Sequence, residues 1–266
     1  MTQETLFDLT GKIALVTGGG GLLATEHAIA LSSYGATVIM ADFNEEKCNA
    51  AAISLQQQGI NATAKYCNVT SKESWQILAE DIVKEYGSID ILVNNAGFTN
   101  QSKSANFDNS FEDFPLEDWN AIMSVNLTGT FIGCQVAGKY MLKQGKGSII
   151  NMASLYGVVS PNHNIYPGTG ISQPVAYSVS KHGVVGLTKY IATLWASKGV
   201  RVNAITPGGI FNGHKGLFLE RFQQLNPIGR MSDKTELRGA IVYLASDASS
   251  HVVGHNLVVD GGWTAW

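Results

Sequence analysis

The sequence predicts an α/β protein, a doubly wound and mostly parallel sheet of about seven strands with helices on both faces. Three observations predict it. Short apolar runs alternate with helical patterns along the whole chain. Those runs are apolar throughout, as strands are when both faces of a sheet are covered. A run of four glycines, Gly18 to Gly21, divides the first strand pattern from the first helix pattern.

Lys12 to Thr17, KIALVT, is the first strand, and the helix after the glycines carries Leu23, His27, Ala30 and Leu31. Glycines at such a turn permit unusual backbone angles and let main-chain N–H groups approach a pyrophosphate at the positive end of the helix. Thr37 to Asp42 is the second strand, reached through Tyr34-Gly35-Ala36 as a crossover unit requires. An acidic residue at the end of that strand, about 20 to 25 residues beyond the glycine turn, suits the two adenosine-ribose hydroxyls of NAD. Asp42 would repel the extra phosphate of NADP, and no arginine in the glycine loop or at position 43 would receive it. Asp42 could also simply cap the helix beginning near Asn44.

Further elements alternate: a strand over Ala62 to Val69, a helix over Ser71 to Tyr86, a strand over Ile89 to Asn95, and a long helix from Pro115 to Lys143. Next come a strand over Gly147 to Ser154, the Tyr177 helix to about Ser197, and a strand over Val200 to Pro207. Short helices near Leu217 to Leu225 and Lys234 to Ser246 precede a last strand, Asn256 to Asp260. Right-handed crossovers make this a Rossmann-like sheet, whose site lies beyond the carboxyl ends of the strands. Gly18 to Gly21, Asp42, Asn94 to Gly97, Ser154 and Pro207 all fall at those ends. In the Tyr177 helix, Lys181 stands four positions on and shares its face. A nearby cation favours phenolate and is expected to lower the Tyr177 pKa toward neutrality.

The 266 residues, 45% hydrophobic, are expected to form one domain. A formal charge of −3 with interspersed signs gives no basic stripe, which argues against nucleic acid or an anionic membrane as partner. The N-terminus has no secretory pattern, and no uncharged apolar run approaches the roughly 18 residues of a membrane span. Three scattered cysteines, Cys48, Cys67 and Cys134, fit a reduced cytoplasmic setting, and six dispersed histidines offer no metal-binding spacing.

With these residues in view, the chain resembles the short-chain dehydrogenase/reductase family. The resemblance runs from Thr10-Gly11-Lys12 to Val259-Asp260-Gly261-Gly262, and its carriers are Thr17-Gly18, Asn94-Asn95-Ala96-Gly97, Asn126, Ser154, Tyr177 with Lys181, and Pro207-Gly208. It implies that Tyr177 exchanges the proton with the substrate oxygen and that Ser154 hydrogen-bonds that oxygen. Lys181 would hold the nicotinamide ribose, and Asn126 would anchor a water in the proton path. The cofactor cleft would take Gly18, Gly20, Gly21, Leu22, Leu23, Asp42, Asn68, Val69, Asn95, Ala96, Gly97, Tyr177, Lys181, Pro207, Gly208 and Ile210. The implied activity is NAD-dependent interconversion of a secondary alcohol and a ketone, by a homo-oligomer, tetramer or dimer.

Three features depart from the family pattern. Leu22 and Ala24 stand where it has glycines, and Gly20 or Gly21 would have to take over the approach to pyrophosphate. Asn68 stands where an aspartate often meets adenine. Ser154 and Tyr177 are separated by a longer gap than usual, so that Ser160 to Pro174 must loop over the pocket. Together with the segment after Pro207, this gives two substrate loops, at about 156–174 and 208–230. His163, Tyr166 and His214 are the candidate substrate residues within them. The neutral polar groups of the first loop suit a polyhydroxylated substrate, although surface loops are polar in any case. The loop, the GGGGLL turn and the Trp-containing tail are similar to a bacterial branch linked to sugar metabolism and surface-glycan modification, implying a sugar, sugar phosphate or nucleotide sugar. A sugar dehydratase or epimerase with bound NAD, or a catalytically silent NAD-binding module, are the alternatives.

Overall fold

A computed structural model describes residues 6–98 and 111–266. Seven strands form one sheet: β1 (Ile13–Thr17), β2 (Thr37–Asp42), β3 (Ala62–Tyr66), β4 (Ile91–Asn94), β5 (Gly147–Met152), β6 (Val200–Pro207) and β7 (Asn256–Val259). Their spatial order is β3-β2-β1-β4-β5-β6-β7, and every pairing is parallel. The order reverses between β1 and β4, which opens a crevice beyond the carboxyl ends of those two strands.

The described residues form eight α-helices, most of them packed on the two faces of the sheet: α1 (Leu22–Ser33), α2 (Glu45–Gln56), α3 (Lys72–Tyr86), α4 (Leu116–Met123), α5 (Gly129–Gln144), α6 (Val175–Trp195), α7 (Gly216–Leu225) and α8 (Arg238–Ala245). Alternate strand residues serve opposite faces. Ala14, Val16, Val38, Met40 and Val93 pack with Ala24, Leu31, Cys48 and Ile241 of α1, α2 and α8. Leu15, Ile39, Leu92 and Ile149 pack with Trp75, Ile82, Cys134 and Met141 of α3 and α5. The central strands are buried along their whole length for this reason, while β3 and β7 at the edges are not. Glu26 of α1 is buried and reaches Lys234 at 2.7 Å and Arg238 on the far side of the chain, which fastens α1 to α8.

Boundaries differ from the sequence expectation where side chains redirect the backbone. The third strand stops at Tyr66 instead of Val69, because the Asn68 carboxamide oxygen accepts from the Thr70 N–H and hydroxyl and turns the chain toward α3. The fourth begins at Ile91 instead of Ile89: the Asp90 carboxylate accepts from Ile13 N and from the Ser88 hydroxyl. The fifth ends at Met152, two residues before Ser154. The long helix is continuous from Leu116 to Gln144 but widens into one π-helical turn over Ser124–Thr128. That helix is long and apolar enough to cross a membrane by composition alone; its residues Ile132, Cys134, Val136 and Met141 are buried in the core against the sheet. All three cysteines are free and buried, and burial raises their thiols to about 11 at Cys48 and about 12 at Cys67 and Cys134.

Candidate active site

The floor of the crevice is a reciprocal clasp between the ends of β1 and β4. The Thr17 hydroxyl accepts from the N–H groups of Asn95 (3.1 Å) and Ala96 (3.0 Å), and the Asn95 carboxamide donates to the Thr17 carbonyl at 2.9 Å. Gly18 follows in the left-handed region, and a Cβ there would stand 3.0 Å from the Ala96 Cα. The Asp42 carboxylate bridges the glycine turn and the next helix, accepting from Gly20 N and Asn44 N, both at 2.9 Å. It does not cap α2; Asn44 does that itself through Lys47 N. Gly21 is the N-cap residue of α1, which has no side-chain cap and no acidic residue in its first turn, so its end is left open to an anionic group. The Asn68 carboxamide oxygen is spent on Thr70, while Val69 packs against Gly129 beside the crevice.

Farther along, the π turn brings Asn126 inward. Its carboxamide clamps the Phe98 backbone, accepting from the N–H at 2.9 Å and donating to the carbonyl at 3.0 Å, and it also donates to the Ser180 hydroxyl. A Cβ at Gly97 would stand 3.3 Å from the Asn126 Oδ1 and 3.5 Å from the Lys181 Nζ, so Gly97, Asn126 and Lys181 meet at one point.

Tyr177 and Lys181 share a face of α6, with the ammonium 5.7 Å from the phenol ring centroid. Lys181 is buried, donates to the Met152 carbonyl at 2.7 Å, and is pushed down to about 8 by burial. The expected depression of Tyr177 is not found. Burial raises the phenol above its ordinary range, and the neighbouring Ser154 side chain pulls it partly back. The Lys181 charge is directed to the Met152 carbonyl, which the i, i+4 spacing could not reveal. Ser154 stands just past β5 and is buried, and its hydroxyl accepts from Tyr156 N at 3.2 Å.

The two loops meet over this constellation. Arg221 of α7 donates to the Pro167 carbonyl at 2.6 Å. Tyr166 stacks on Phe218 at 5.9 Å, and His214 packs on the same ring at 5.6 Å. Trp263 stacks on Phe222 at 4.3 Å and backs α7. Tyr166 and His214 are thus brought together, whereas His163 is exposed: its short turn sends Ile165 inward instead. Pro207 ends β6, Gly208 donates to the Val259 carbonyl, and Ile210 bridges to Ser232. Tyr156 was not among the sequence candidates. Its hydroxyl lies 2.6 Å from that of Tyr166, and its position two residues after Ser154 was the available signal.

A family model described as enoyl-(acyl carrier protein) reductase matches residues 22–264. The chain belongs to the short-chain dehydrogenase/reductase family. It is an NAD(P)-dependent oxidoreductase of the kind that interconverts alcohols and carbonyls. Among curated relatives, D-threitol dehydrogenase of Mycolicibacterium smegmatis is 38% identical over 263 residues, covering 97% of this chain and 95% of that one. A 2-dehydro-3-deoxy-D-gluconate 5-dehydrogenase of Bacillus subtilis is 39% identical over 263 residues, covering 97% and 96%. A solved gluconate 5-dehydrogenase from Burkholderia cenocepacia, in complex with NADP and tartrate, superposes with a TM-score of 0.88 at 30% identity, covering 99% of each chain.

Within this family the two altered glycine positions are accommodated differently. Ala24 is fully buried where α1 packs on the sheet, and a methyl group fits there. Leu22 opens α1 with its side chain 39% exposed, so it displaces no backbone. Gly19, absent from the sequence candidates, is packed tightly against β2 and α2: a Cβ there would lie 2.6 Å from the Cys48 Sγ and 3.1 Å from Ala41 N.

Proposed function

We propose that this oxidoreductase acts on a secondary alcohol of a polyhydroxylated, sugar-class substrate, with NAD as the preferred cofactor. The observation that carries the reading is the meeting of Ser154, Tyr177 and Lys181 at the strand ends, under a roof of neutral hydroxyl-bearing side chains. The names of the three relatives, for threitol, a deoxygluconate and gluconate, support the substrate class. Gly18, Gly20, Gly21 and the open end of α1 would hold the pyrophosphate, and Asp42 the adenosine ribose. When bound, the nicotinamide supplies the hydride chemistry.

The chain's own residues manage the proton. In alcohol oxidation the Tyr177 phenolate takes the hydroxyl proton as the carbon–hydrogen bond breaks, and in ketone reduction the phenol returns it. Ser154 fixes the substrate oxygen against Tyr177. Lys181 has three donors, of which the Met152 carbonyl uses one, leaving two for the ribose. Asn126 holds the Phe98 backbone, and with it the chain around Gly97, against this site.

Asp42 supports NAD, since a second anion beside its carboxylate would be repelled. The solved gluconate 5-dehydrogenase that holds NADP supports some use of NADP. The buried free thiols support a reduced, cytoplasmic setting. Assembly into a dimer or tetramer is part of the same proposal. A panel of polyols, sugar acids and sugar phosphates, followed as NADH or NADPH absorbance, tests the reading. Turnover confined to steroids or acyl thioesters would sink it.

A further inference from the structure

Tyr156 and Tyr166 join three parts of the site. Tyr156 belongs to the turn Leu155–Gly157, whose backbone also donates to the Ser154 hydroxyl. Tyr166 belongs to the loop between β5 and α6, braced by the Thr169 hydroxyl on its carbonyl at 2.6 Å and by Arg221 on Pro167. Both rings lie in the apolar cluster that includes Tyr177, and Tyr156 is close enough to Tyr177 for charge on one to affect the other.

Each phenol has one proton. In the 2.6 Å contact one proton is shared between the two oxygens, and among the described residues neither oxygen has another partner. The couple therefore keeps one O–H donor and free lone pairs. Burial raises both phenols, so the couple stays neutral across the physiological range. A neutral group that donates and accepts at one point matches an alcohol, which does the same.

We propose that the Tyr156–Tyr166 phenol pair is a second substrate subsite, receiving a hydroxyl on a carbon close to the one oxidised at Tyr177. This rests on the polyol reading above and adds to it where the second hydroxyl goes. A site built around a hydroxyl discriminates strongly against the analogue that lacks it, because its own polar groups are then left unpaired.

The test compares a vicinal butanediol with secondary butanol for wild type, Tyr166→Phe and Tyr156→Phe. Each variant removes one oxygen and keeps the ring in the cluster. The expected result is a loss in kcat/KM for the diol at least about tenfold larger than for the mono-alcohol, mostly in KM. Equal losses for both alcohols, or none, would mean that the pair only braces the loop and would overturn the proposal. If wild type oxidises mono-alcohols but no polyol at all, the polyol reading fails and the subsite with it. If polyols react and the two losses are equal, the subsite alone fails.

Discussion

Asn95 donates twice to Thr17, its main-chain N–H to the threonine hydroxyl and its carboxamide to the threonine carbonyl, so that the side chain of each meets the main chain of the other. This clasp ties the two walls of the crevice between β1 and β4, where the strand order reverses. Thr17→Val keeps the shape and removes the acceptor of two N–H groups. With Thr17 buried, the expected cost is about 1–3 kcal/mol in urea unfolding, accompanied by weaker NADH binding in a fluorescence titration. Thr17→Ser should restore both, and a valine variant as stable as wild type would contradict the assignment.

Tyr177 is raised by burial, so cofactor-free protein should hold it as a phenol at neutral pH. Phenolate absorbance, taken as the difference between wild type and Tyr177→Phe, should develop only above about pH 10. Because oxidation needs the phenolate, its kcat/KM should rise about tenfold per pH unit through the neutral range, with reduction favoured toward acid. A Tyr177 ionisation below pH 8 without cofactor would show that Lys181 acts on the phenol despite its bond to Met152.

His27 is fully buried on α1, its ring nitrogens without a hydrogen-bond partner among the described residues, and burial pushes its pKa down to about 4, with Asn95 and Glu26 opposing only in part. Above about pH 6.5 the ring is neutral in folded and unfolded chains and stability does not depend on it. As pH falls from about 6.5 to about 4, only the unfolded chain gains the proton, and stability should drop by about 3 kcal/mol. His27→Leu should remove that part of the pH dependence, read from urea midpoints at pH 7.5 and pH 5. Equal losses in both proteins would refute it.

The sheet was legible because its central strands are apolar on both faces and its helices carry their own boundaries, as where Ser71 caps α3 and Gly87 closes it in the left-handed region. The motif residues were legible because they fall at the strand ends where the crevice opens. Less legible was whatever depends on where one polar atom is directed. The i, i+4 rule puts Lys181 beside Tyr177 but says nothing of the Met152 carbonyl. Asn126 reads as a helical residue, and only the π turn rotates it onto Phe98. Gly19 looks interchangeable with its neighbours until Cys48 is found against it. The Tyr156–Tyr166 contact spans a loop whose path no periodicity dictates.

Whether Tyr177 moves the proton for a polyol dehydrogenase is read from kcat of wild type and Tyr177→Phe on one polyol with NAD. Wild type should turn over, and the variant should lose about a hundred- to ten-thousandfold with NADH binding retained. A phenylalanine variant with wild-type kcat would contradict it.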